Sequence, residues 1–144
     1  MKAIPYISFN GNCEEAINFY HAVLGGKLDI LRFKDLPSEE GISISENWEE
    51  KVLHSSLTFE DGQFLFFSDT WEEAPVDFGT NFHIHLQVNS AEDVYRIVEK
   101  LSDGGVVTMP VDKTFWDSVF GSFIDKFGIS WGIEFELKPD DNAS

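Results

Sequence analysis

The chain has 144 residues, enough for one domain with its own core and no covalent staples. Its 26 acidic residues against 10 Lys and Arg give a formal charge of -16, which opposes contact with nucleic-acid phosphates or an anionic membrane surface. A single cysteine, Cys13, excludes an intrachain disulfide and a thiolate metal cluster. No apolar run reaches the ~18 residues of a membrane span.

The opening residues, Met1-Lys2-Ala3-Ile4-Pro5-Tyr6, lack the long apolar stretch of a secretion signal. They read as a strand entering the fold, and a cytoplasmic protein is expected. Ile4 to Phe9 is strand-like and ends in Asn10-Gly11. Asn12 is placed to cap a helix, with Glu15 three residues on where a capping box wants it. Ala16, Phe19, Tyr20, Val23 and Leu24 follow at helical spacing. Gly25-Gly26 stops the helix, since glycine adopts the left-handed geometry of a C-terminus. Three strands are predicted next, Leu28 to Phe33, Val52 to Phe59 and Phe64 to Ser68. The last two flank Asp61-Gly62, a hairpin signal.

The same order then recurs. Phe82 to Val88 is a strand, and Ser90 caps a helix with Asp93 three residues on. Val94, Ile97, Val98 and Leu101 make its apolar stripe, and Gly104-Gly105 stops it. Strands are predicted over Val106 to Met109, Val119 to Asp125 and Ser130 to Leu137, with Asp125-Lys126-Phe127-Gly128 as the last turn. Glu14-Glu15-Ala16 and Glu92-Asp93-Val94 are offset by 78 residues, and the paired glycines by 79. Both halves therefore read βαβββ, the pattern of an internal duplication. The fold class is α+β, one domain over 1–144, with a first unit at about 3–69 and a second at about 81–137. The segments 35–50 and 70–81 are long enough to be lids, contact surfaces or plain connectors. The polar tail from Lys138 to Ser144 is expected to fray.

The paired units resemble the vicinal oxygen chelate superfamily, which includes glyoxalase I, extradiol dioxygenases and bleomycin-resistance proteins. The PhnB-like branch is the closer match. The motifs that carry the resemblance are Pro5-Tyr6-Ile7-Ser8-Phe9-Asn10-Gly11-Asn12, Glu15-Ala16-Ile17-Asn18-Phe19-Tyr20, His54-Ser55-Ser56-Leu57 and Ser68-Asp69. Thr114-Phe115-Trp116, Phe120-Gly121 and Asp125-Lys126-Phe127-Gly128-Ile129-Ser130-Trp131 complete them. The resemblance implies an eight-stranded, open, barrel-like mixed sheet around a central cavity, and a homodimer. It also implies metal ligands on the first and last strands of each unit. Those positions fall near Pro5, on Phe64-Leu65-Phe66-Phe67, at His83 and near Gly132, so at most half the donor set survives. No cofactor is certain, and a divalent ion, if present, would use His83 and Glu134.

Strand alternation puts His83, His85 and Gln87 on one face, with Phe82, Ile84, Leu86 and Val88 on the other. The apolar face suits a helix, so the polar trio is expected to look into the cavity. There it either hydrogen-bonds across the sheet or contacts a ligand, and imidazole can move a proton near neutrality. Glu134 and Glu136 share a face of the last strand, and Glu134 could orient His83 or act as a base. His54 shares a strand face with Ser56 and Thr58, while His21 reads as a surface residue. Trp116, with Phe115 before it, could stack a planar or cationic ligand. Which face of the first strand looks inward is open, because Tyr6, Ser8 and Asn10 alternate with Pro5, Ile7 and Phe9. The candidate ligand-binding set is thus His54, His83, His85, Gln87, Trp116 and Glu134. The leading expectation is a small-molecule binding protein. A metal-dependent lyase, isomerase or dioxygenase and a non-catalytic dimeric interaction module are the alternatives.

Overall fold

The computed structural model describes residues 1–37 and 42–137. Gly41 of the first long loop, and the tail expected to fray, lie outside them. The chain forms two compact units, the first ending at Asp77 and the second beginning at Phe78.

In the first unit the order is β1 (Tyr6–Phe9), α1 (Cys13–Leu24), β2 (Lys27–Arg32), a single 3-10 turn (Phe33–Asp35), β3 (Val52–Thr58) and β4 (Phe64–Asp69). Its sheet runs β1-β4-β3-β2, with β1 parallel to β4 and the other pairs antiparallel. The second unit repeats this with β5 (Ile84–Gln87), α2 (Ala91–Leu101), β6 (Val106–Lys113), β7 (Ser118–Ile124) and β8 (Ser130–Glu136). Its sheet order, β5-β8-β7-β6, is the same topology, again with the first and last strands parallel. The α+β class and the βαβββ repeat are therefore as expected, and hydrogen bonding joins the strands into two open four-stranded sheets.

Each helix buries one stripe on its own sheet. In α2 it is Val94, Ile97, Val98 and Leu101, as the spacing predicts. In α1 it is Cys13, Ala16, Ile17 and Tyr20, so the stripe is rotated from the expected one and Phe19, Val23 and Leu24 are half-buried. Ser90 caps α2 through its hydroxyl, which accepts from Asp93 N–H at 3.1 Å. Asn12 makes no such bond. Asp69, at the end of β4, replaces it: Oδ1 accepts from Gly11 N–H at 2.8 Å and Cys13 N–H at 3.0 Å. Its Oδ2 accepts from Val52 N–H at 3.0 Å. A carboxylate suits a helix N-terminus because it satisfies free donors and opposes the dipole. The helix stops also seat the helices on the sheets. A Cβ on Gly26 would meet Thr58 O at 2.5 Å, and one on Gly105 would meet Ile124 O at 2.1 Å.

Two boundaries differ from expectation. β6 continues past Met109 through Pro110 to Lys113, with register shifts near Val107, Met109 and Asp112. It lies at the sheet edge, where proline loses no ladder bond and bulges are tolerated. β5 is shorter than Phe82–Val88, and Phe82 is 84% exposed instead of packing on a helix. The two long loops are tied together, since Trp48 Nε1 donates to Thr70 O at 3.0 Å and Ser45 Oγ to Glu72 at 2.6 Å.

Candidate ligand-binding site

In the second unit, a Cβ on Gly121 would sit 3.2 Å from Val98 of α2, so that residue looks toward the helix. Alternation then turns Phe120 and Ser122 to the opposite, uncovered face. Register brings the candidates onto that face. His85 lies opposite Gly132, Gln87 opposite Glu134, and Phe120 opposite Glu134 on the other side. The His85 and Phe120 rings stack at 5.9 Å and 18°. His83, just before β5, meets His85 edge-on at 5.7 Å. Gly132 makes room for all three rings: a Cβ there would lie 3.0 Å from His85 Nδ1, 3.1 Å from Phe120 and 3.4 Å from His83.

Glu134 is the charged centre of this face. Its Oε1 accepts from Gln87 Nε2 at 3.2 Å and lies 3.8 Å from His85 Nε2. Its side chain is 13% exposed, against 39% for His85. Trp116 reaches the face from the turn before β7, with its ring 6.5 Å from Phe120 and 4.8 Å from Phe115. That turn is shaped by Asp117, in the left-handed region at φ 60°, and by Thr114 Oγ1, which accepts from Ser118 N–H. It leaves Phe115 94% exposed. Glu136 shares the face at its far end, opposite Ser118. His83, His85 and Gln87 are exposed on the sheet surface, so they are not buried polar groups in need of partners.

His54 belongs to the first unit. Its Nδ1 is 2.9 Å from Tyr6 Oη, and its ring packs edge-on to Phe66 at 4.6 Å. Tyr6 and Ser8 take the face away from α1, while Phe9 enters the core, which settles the open alternation of β1. His21 is half-buried and bonds Gly26 O at 3.0 Å, closing the end of α1. Burial, and then the Asp69 charge, push the Cys13 thiol well above its ordinary range, so it offers no nucleophile.

A catalytic metal of the kind the resemblance implies needs about three good protein ligands. Among the described residues no three His, Cys, Asp or Glu side chains come together to hold one. His85 and Glu134 supply two donors in the second unit, and in the first unit the register partners Tyr6 and Phe66 on β1 and β4 bring neither a carboxylate nor an imidazole. The residues do not fit that metal.

Two βαβββ units, each with its helix packed on one face of its own four-stranded sheet, define the class of fold. The chain belongs to the glyoxalase/bleomycin resistance protein/dioxygenase superfamily, whose family model matches residues 4–133. It is similar to protein YjdN of Escherichia coli K12, 29% identical over 141 residues that span 92% of this chain and 94% of YjdN. The crystal structure of protein PA1353 from Pseudomonas aeruginosa matches with a TM-score of 0.84 and 35% identity, over 96% of this chain and 99% of that one. A PhnB protein from Bacillus cereus matches with a TM-score of 0.71 and 25% identity, over 94% and 99%. The resemblance read from the motifs, including its PhnB-like side, is thereby borne out.

Proposed function

We propose that the protein binds and sequesters a small planar cation on the open face of the second unit, in the cytoplasm. The observation that carries this reading is the largely desolvated Glu134 carboxylate beside the stacked His85–Phe120 rings, with Trp116 adjoining. Aromatic faces attract cations, and a carboxylate sheltered from water holds a counter-charge more strongly than an exposed one. Gln87 holds Glu134 in place and His83 braces His85. The charge of -16 would draw cations toward the molecule. The shortage of donors favours binding over metal-assisted chemistry.

Titration calorimetry with a planar aromatic amine such as 9-aminoacridine tests this. Trp116→Ala and Glu134→Gln should each weaken binding about tenfold, the loss of about 1.4 kcal/mol. Absence of heat from every planar amine up to high micromolar concentration would remove the proposal. The reading includes a homodimer through β6, an edge strand that exposes Val106, Val107 and Met109. Sedimentation should show a dimer that Val107→Lys dissociates.

A further inference from the structure

The first unit carries a cleft of about 520 Å³ that none of the sequence-derived candidates lines. That is the size of a small-molecule site, typically ~300–1,000 Å³. We propose that it is a second ligand site, taking an uncharged hydroxylated aromatic molecule. Its wall is aromatic: Phe33 and Trp71 meet edge-on at 5.1 Å and 74°, with Tyr6 also lining the space. Its polar part is a pair of serines. Ser8 and Ser68 are register partners on the parallel strands β1 and β4, so their side chains stand together on one face. Neither hydroxyl has a hydrogen-bond partner among the described residues, although Ser68 is only 8% exposed. No buried side-chain polar atom among the described residues lacks a partner, so both hydroxyls reach open space, where each can bond water or a ligand.

The charge pattern sets the ligand class. Among the described residues Asp69 is the single charged one that lines the cleft. Both of its oxygens are taken by the backbone N–H groups of Gly11, Cys13 and Val52. An ionised head group would therefore find no carboxylate oxygen free of these bonds to pair with directly, and its desolvation would be poorly offset. A hydroxyl head both donates and accepts, which matches two serine hydroxyls.

The wall is also held in place before any ligand arrives. The Asn10 amide clamps Val76, with Nδ2 donating to its carbonyl at 2.9 Å and Oδ1 accepting from its N–H at 2.8 Å. At the other end Trp48 holds Thr70 O. Trp71 lies between these two anchors, so little ordering cost falls on binding.

The test is an amide-resolved NMR titration with 2-phenylethanol, using phenethylamine and phenylacetate as charged isosteres. Shifts should centre on Ser8, Ser68, Thr70 and the Trp71 indole, and the charged isosteres should bind at least about tenfold more weakly. Ser8→Ala/Ser68→Ala should weaken the alcohol about tenfold with the remaining spectrum unchanged. If that double variant fails to fold, Ser8→Ala alone, at a half-buried position, should still weaken it several-fold. Shifts at Gly132 and Trp116 instead, equal binding of the isosteres, no binding at all, or indifference to the serine changes would each overturn the assignment. The 9-aminoacridine titration reads the other unit, so the two proposals fail separately.

Discussion

Asp69 is the residue on which the first unit turns. Its carboxylate accepts three backbone N–H groups from two places in the chain, the start of α1 and the start of β3. Asp69→Asn keeps the shape and one acceptor oxygen. It places an amide N–H₂ where Oδ2 stood, so the Val52 N–H faces a donor. An orphaned buried donor costs about 1–3 kcal/mol, and bonds to a charged acceptor are stronger than bonds to a neutral one. The loss of one bond and the weakening of two sum to about 3 kcal/mol. That is a large share of the ~5–15 kcal/mol stability of an ordinary domain. With a urea m-value of about 2 kcal/mol/M, the midpoint should fall by about 1.5 M at unchanged slope. A midpoint shift below about 0.5 M would refute the view that this carboxylate, in place of the Asn12 side chain, secures the helix start.

Three further outcomes follow from contacts already described. Gly105→Ala drives a Cβ to within 2.1 Å of the Ile124 carbonyl, and backbone cannot yield as a side-chain tip can. It should cost about 3 kcal/mol, read as a lowered thermal midpoint; a change under 1 kcal/mol would contradict the packing. Gly132→Ala pushes instead on the ring atoms of His85 and Phe120. It should leave stability within about 1 kcal/mol and weaken 9-aminoacridine several-fold, and undiminished binding would count against the site. Cys13→Ala removes a thiol that burial keeps protonated in the folded state. In the unfolded chain that thiol ionises above about pH 8.5, so the unfolded state loses its proton first and wild-type stability falls with rising pH. Between pH 9 and 10.5 the wild type should lose about 2 kcal/mol more than Cys13→Ala, and parallel denaturation curves would exclude this.

The repeat was legible because its signals are local. Ser90 with Asp93, the Val94–Leu101 stripe, the paired glycines and the Asp61-Gly62 turn depend on neighbours a few residues away. The βαβββ order of elements in both halves followed from them, whereas the strand orders came from the structure. The face of β5–β8 that carries His85, Gln87 and Glu134 was also within reach, because strand alternation has a period of two. The Asn12 cap misled because asparagine has high cap propensity, whereas the helix start is secured by a carboxylate 56 residues away in the chain, which takes the Cys13 N–H. The stripe of α1 was off by a rotation because both Phe19 and Ile17 are apolar, and only the sheet decides which is covered.

The sequence by itself determined the elements, the duplication, the family and the acidic field, all properties of local pattern or of summed charge. Only the tertiary structure decided which groups meet. It set Glu134 between Gln87 and Phe120, packed three rings over Gly132, and paired Ser8 with Ser68 across parallel strands. Such pairings join residues 14 (Phe120–Glu134), 47 (Gln87–Glu134) and 60 (Ser8–Ser68) positions apart, and their register depends on how whole sheets pack, which no short window of residues records.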